Sequence, residues 1–253
     1  MFRRRPETTP IVAGMATMPS RAATLPLALR SILSQVDRLY LYLDGHSDTP
    51  QAAQGEPRIR CILSRDAPGL HGNGKFLALS FEPDPFRFIG VDDDIAYPAN
   101  YAAALCEALR TYRGRAVVGY HGVILGRPLV QYHKGRTVFH FAEGLRSQRV
   151  VDVLGTGTVM FSSSVLNFDV NTWQHVNMLD VHLALEAARK KLPLVCLPRD
   201  QGFLRVLAGV QPDSNYSALL RDDSIQTALA RQLPLRNKPL RNAISKLAKL
   251  GWA

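Results

Sequence analysis

The sequence predicts an α/β protein: one mixed, mostly parallel sheet flanked by helices, in a single domain. Three observations carry that prediction. Short apolar runs alternate with helix-period segments through the first half of the 253-residue chain, and strands alternating with helices imply a largely parallel sheet covered on both faces. The apolar runs stop at turn or acidic residues. Leu39–Leu43 ends at Asp44-Gly45 and Phe86–Val91 at Asp92-Asp93-Asp94, at the carboxyl ends of strands where such sheets bind ligands. Finally, 46% hydrophobic and 21% charged residues exclude a disordered, collagen-like or coiled-coil chain.

The elements follow in order. Ile11–Ala16 reads as a buried strand. Leu25, Leu29, Ile32 and Val36 repeat at helical spacing, with Pro26 near the helix start, where its missing N–H costs nothing. Leu39–Leu43, Arg58–Leu63 and Phe86–Val91 are the next strands. Pro98 opens a helix whose apolar face is Tyr101, Leu105, Leu109 and Tyr112. Ala116–Tyr120 is another strand. Thr137–Phe141, Val150–Leu154 and Thr158–Phe161 then follow without long helices between them, before a helix over Leu179–Lys190 and a late strand at Leu194–Leu197. There is no internal repeat and no linker between Thr9 and Arg221. The expected division is a basic arm over 1–9, one domain over 10–223 and a basic tail over 224–253.

The net charge of +10 lies mostly at the ends, in Arg3, Arg4 and Arg5 and in six cations after Ser224 with no acid among them. A near-neutral body argues against nucleic acid as a partner, which needs a basic face on the domain. Leu240 to Trp252 has amphipathic helical spacing with a basic face. Such a helix either packs on its own domain or lies on an anionic membrane surface. No run approaches the roughly 20 apolar residues of a spanning helix, and none forms a signal h-region. The expected location is the cytoplasm, with the tail offering a contact to the inner face of the membrane. Cys61, Cys106 and Cys196 are too far apart for a disulfide framework or a zinc knuckle, and the seven histidines show no H-E-x-x-H spacing.

The sharpest motif is FRFIGVDDDIAYP. Three adjacent carboxylates repel one another unless a cation joins them. Mg²⁺ or Mn²⁺ takes one or two carboxylates plus substrate phosphates. Strand alternation would put Asp92 and Asp94 on one side and Asp93 on the other; helix capping explains one aspartate, not three. Asp44 is either a turn residue before Gly45 or an acceptor for a base or ribose. HGNGKF, with Asn73 and Lys75, offers backbone approach and a cation to a phosphate. The glycines of Gly155-Thr156-Gly157-Thr158 allow close approach of a ligand or strand. Asp180 stands near a helix start, with Asn177 as a cap, and is either a favourable first-turn acid or a general base.

In this order, TMPSR, LYLDGHSD, GNGK, VDDDIAYP, GTGT and MLDVHLAL resemble the inverting glycosyltransferases of the GT-A fold, family-two type, from about Ile11 to Arg205. HGV, HF and DVLGTGTVMF resemble a subgroup of bacterial enzymes that build surface polysaccharide. The resemblance implies a Rossmann-like GT-A sheet, a nucleotide-sugar donor (a UDP-sugar most commonly), Mn²⁺ or Mg²⁺, and a glycan or lipid-linked acceptor. It puts Thr17, Pro19 and Arg21 beside the nucleotide, Asp44 on the base or ribose, and Asn73 and Lys75 in the nucleotide pocket. Asp92 and Asp93 fall near the donor, and Asp94 is the main metal ligand with Asp92 beside it. Asp180 is the catalytic base. The family's acidic pair is here Leu179-Asp180, a single acid, so Asp152 stands in reserve. Gly155, Thr156, Gly157, His182, Arg199 and Arg205 are candidates for acceptor or phosphate contacts. The alternatives are a sugar-phosphate nucleotidyltransferase, which would need a glycine-rich first loop that TMPSR lacks, and a non-catalytic module for anionic polymers, which leaves the three aspartates unexplained.

Overall fold

The computed structural model describes residues 9–207 and 222–234. The arginines of the expected arm and the amphipathic Leu240–Trp252 segment lie outside the described residues. The chain folds around an eight-stranded, mostly parallel mixed sheet flanked by helices, compatible with a Rossmann-like fold. Its elements are β1 (Ile11–Thr17), α1 (Leu25–Ile32), β2 (Arg38–Leu43), β3 (Ile59–Leu63), α2 (Ala78–Phe81), β4 (Arg87–Val91), β5 (Ile95–Ala96), α3 (Tyr101–Thr111), β6 (Val117–Gly119) and β7 (Gly122–Ile124). They continue as β8 (Thr137–Phe139), β9 (Arg149–Val151), β10 (Val153–Leu154), β11 (Thr158–Ser162), α4 (Leu179–Arg189), β12 (Leu194–Cys196), β13 (Arg205–Val206) and α5 (Ser224–Ala230).

The large sheet has the order β3-β2-β1-β4-β11-β6-β12-β9. β1 pairs in parallel with both β2 and β4, while β11 runs antiparallel to β4 and β6. The chain starts at β1, moves out through β2 to β3, then returns to β4 on the other side of β1. That reversal opens a crevice beyond the carboxyl ends of β1 and β4, where sheets of this kind take ligands.

Period-two alternation splits the core between the two faces. Val12, Tyr40, Tyr42 and Phe88 pack with α4 on one face; Ala13, Met15, Leu41 and Ile89 pack with α1 and α3 on the other. Phe76 stacks on Phe88 at 5.2 Å and meets Trp173 edge-on at 5.3 Å, which fixes the 71–77 segment on the sheet. Gly14 makes that seating possible, since a Cβ there would lie 1.9 Å from the Lys75 carbonyl oxygen.

Several expectations need correction. The single strand read over Val150–Leu154 is two strands in two sheets: β9 closes the large sheet, and β10 joins β7 and β8. Asp152 makes the break because its carboxylate is buried and accepts the Leu125 N–H at 2.9 Å. HGNGKF, whose glycines suggest an open loop, lies in a 3-10 helix, His71–Leu77, buried from Asn73 onward. The start of the basic tail, 224–234, is built into the domain: Leu229, Ala230 and Leu233 join the α4-side core. Its helical spacing is brief, so the run of cations after it dominated the sequence pattern.

Candidate functional site

A pocket of about 500 Å³ opens at the crevice, within the range of small-molecule sites. β1 delivers Thr17 to it, and the 3-10 turn Pro19–Arg21 delivers Arg21. β2 delivers Asp44, the 71–77 helix Lys75, and β4 the three aspartates. The far wall holds Thr156 from the β10–β11 loop and Asp180 from the first turn of α4. Residues more than 160 positions apart thus meet in one cavity.

Asp92, Asp93 and Asp94 leave the strand as a tight turn between β4 and β5, so strand alternation ends at Val91. All three line the pocket, rather than dividing between opposite sides as alternation would have them. Lys75, 4% exposed, forms an ion pair with Asp92; a buried ammonium needs such a partner. Asp92 also leans on Gly157, where a Cβ would stand 1.8 Å from Oδ2. That approach is why a side chain is missing at this position. The Asp92 N–H donates to the Tyr97 hydroxyl, which donates to the Gly157 carbonyl at 2.8 Å.

Asp93 and Asp94 carry the electrostatic load. Burial pushes Asp93 up to about 7, with Asp94 and Asp92 adding to it and Thr17 and Arg21 opposing it. Burial and the Asp92 charge push Asp94 up to about 6. One ammonium and one guanidinium therefore leave the cluster short of positive charge. Among the described residues no three His, Cys, Asp or Glu side chains form a metal cage. Two carboxylates with unmet negative charge still fit Mg²⁺ or Mn²⁺, which fills its remaining positions with water and phosphate. Asp94 is the freer oxygen donor, because Asp92 is shared with Lys75.

These shifts fix a pH dependence. Between pH 4 and 7 the folded protein holds protons on Asp93 and Asp94 that the unfolded chain has released, so their contribution to stability falls as pH rises. Three pKa units on Asp93 amount to at most roughly 4 kcal/mol. Buried histidines held below the usual imidazole range, His121 above all, act in the opposite direction, so the test is a difference: from pH 5 to pH 8 the melting temperature of ligand-free Asp93→Asn is expected to change more positively than that of the wild type. Equal changes in the two proteins would refute the strained cluster.

Asp180 Oδ1 accepts the Thr156 N–H at 2.8 Å and the Thr156 hydroxyl at 2.9 Å. Burial raises its pKa, and the two Thr156 bonds pull it back toward the ionised form. The result is a held, oriented carboxylate with raised basicity. Asn177 does not cap the helix. It sits at φ +60° and accepts the Gly72 N–H at 3.1 Å, while Asn73 accepts the Asn177 N–H at 3.2 Å. The two asparagines lace the 71–77 helix to the entrance of α4.

The other sequence candidates fall as follows. Asp44 lines the pocket, with His71 Nδ1 3.0 Å from its Oδ2. Thr17 lines it too, and its buried hydroxyl faces the Asp93 carboxylate. Asn73 is a buried wall support, with its amide donating to the His175 carbonyl at 3.2 Å. Pro19, Gly155 and Gly157 frame the pocket without lining it. His182 lies away from it, stacked on Trp173 at 4.7 Å. Arg199 is buried elsewhere, donating to the Leu197 carbonyl at 3.1 Å and to the His140 carbonyl. Arg205 stands on the β13–β5 edge. Asp152, the reserve base, lines a different cavity.

Sequence reasoning missed Tyr132, His133, Arg136 and Gln226, which also line the pocket. The first three sit in the 125–136 connection between β7 and β8, long for a hairpin, and length of that kind is itself a signal of function. No protein-family model matches the sequence, and no curated protein matches it.

Proposed function

We propose that this chain is a metal-dependent inverting glycosyltransferase of GT-A type. It moves a sugar from a nucleotide-sugar, most simply a UDP-sugar, to a hydroxyl of a glycan or lipid-linked acceptor in bacterial surface-polysaccharide synthesis. The observation that carries the reading is the pairing, across one pocket at the sheet's reversal point, of an undercompensated aspartate turn with a separately held, basic Asp180. Donor handling needs the first and acceptor activation the second.

In this reading Thr17, Arg21 and Asp44 receive the nucleotide, and Asp94 with Asp92 would hold Mn²⁺ or Mg²⁺. The bound cation would neutralise charge growing on the departing diphosphate. Asp180 takes the proton of the acceptor hydroxyl. The acceptor oxygen then bonds to the anomeric carbon from the opposite face. The anomeric carbon–oxygen bond breaks, and its electron pair leaves with the nucleoside diphosphate. One displacement inverts the centre, so no enzyme nucleophile is required. Thr156 keeps Asp180 oriented, while Lys75 holds Asp92 in place.

Phosphorus NMR of the protein with nucleotide-sugars, Mg²⁺ and simple glycosides tests this directly. The expected product is a nucleoside diphosphate. Pyrophosphate as the product, from a nucleoside triphosphate and a sugar phosphate, would instead identify a nucleotidyltransferase.

A further inference from the structure

The pocket has a second wall that the sheet does not make. The 125–136 connection contributes Tyr132 and Arg136, and α5 contributes Gln226. These two pieces are tied as one unit. The Tyr132 N–H donates to Thr227 Oγ1 at 2.9 Å, the His133 N–H to Asp223 Oδ2 at 3.0 Å, and Arg231 to the Val130 carbonyl at 2.9 Å. Backbone-anchored ties of this kind hold the wall in place rather than decorate it.

This wall presents a cation and an amide to the pocket. Arg136 rests over the Tyr132 ring at 5.3 Å and ion-pairs with no carboxylate among the described residues. Gln226 is 5% exposed, lines the pocket and meets the His133 side chain there. Tyr132 is buried, and the Asp180 charge adds to the burial that raises its hydroxyl pKa, so this wall adjoins the proposed base. A guanidinium without a carboxylate partner beside a cavity matches an oxyanion in fork geometry. A buried amide on the cavity wall matches a ligand hydroxyl.

We infer that the 125–136 connection and α5 form the acceptor seat, in which Arg136 binds an anionic group of the acceptor and Gln226 accepts a hydroxyl beside it. This rests on the transferase reading of the same pocket. The acceptor class is a sugar bearing a carboxylate or a phosphate, not a neutral one. The seat selects the acceptor, while the nucleotide is held on the other wall.

The test uses full-length protein and three probes: methyl β-D-glucuronide, glucose 6-phosphate and methyl β-D-glucoside. Dissociation constants come from ligand-observed NMR, with and without saturating UDP and Mg²⁺. The wild type is expected to bind at least one anionic sugar about tenfold tighter than the neutral one, and which one names the anion. Arg136→Gln erases the preference, Arg136→Lys keeps part of it, and neither changes UDP affinity. Gln226→Leu weakens all three sugars alike. Equal binding of anionic and neutral sugars by the wild type overturns the inference. So does an Arg136→Gln protein of unchanged melting temperature that loses UDP rather than the anionic sugar. If no nucleoside diphosphate binds the wild type, the transferase reading falls, and the sugar ratios still decide this one.

Discussion

Asp180→Asn is expected to lower turnover by about 10²–10⁴-fold, the range for loss of a general base, while nucleoside diphosphate affinity stays within about threefold. Asparagine keeps an oxygen that can accept both Thr156 bonds, at 2.8 and 2.9 Å in the wild type, so the loop and helix start stay joined. What is lost is the proton acceptor. Single-turnover rates and calorimetric affinities measured on one preparation separate the two. Retained turnover would remove Asp180 from the chemistry. Lost nucleotide binding with intact folding would make it a donor residue.

The second large effect concerns Asp94. Asp94→Ala is expected to abolish the part of nucleotide binding that depends on Mn²⁺. The ligand-free variant should nonetheless melt no lower than the wild type, because burial and Asp92 already strain this carboxylate. A structural aspartate would behave in the opposite way. A wild type saturated to a hundred times its Kd gains about 2.7 kcal/mol in the folded state. The variant should show no difference between metal and chelator.

Much of the fold was legible because its strands are short, apolar and separated by helical periods. β1, β2, β3, β4 and β11 fall within a residue or two of the expected ranges. The aspartate turn was legible because a charged triplet at the end of a buried strand has few other uses. What could not be read was contact between distant segments. Asn177 looked like a helix cap because local sequence contains no trace of Gly72 or Asn73 across the pocket. His182 and Arg199 looked available because nothing local announces the Trp173 stack or the His140 carbonyl. The Gly155–Gly157 pair was read as admitting a ligand or a strand, whereas side chains of this chain approach it. That the visitor at Gly157 is Asp92 needed the fold. Arg136 and Gln226 were invisible for the same reason, since a connection without periodicity and a seven-residue helix met only in three dimensions.

The most direct measurement is a thermal-shift titration of the wild type with UDP, GDP, CDP and TDP, each with Mn²⁺ and with chelator. A ligand that binds only the folded state raises the melting temperature by linkage. The account predicts a rise for one nucleotide that needs Mn²⁺ and vanishes in Asp94→Ala. A well-folded protein that responds to none of the four, or responds equally in chelator, would contradict a metal–nucleotide site at the aspartate turn.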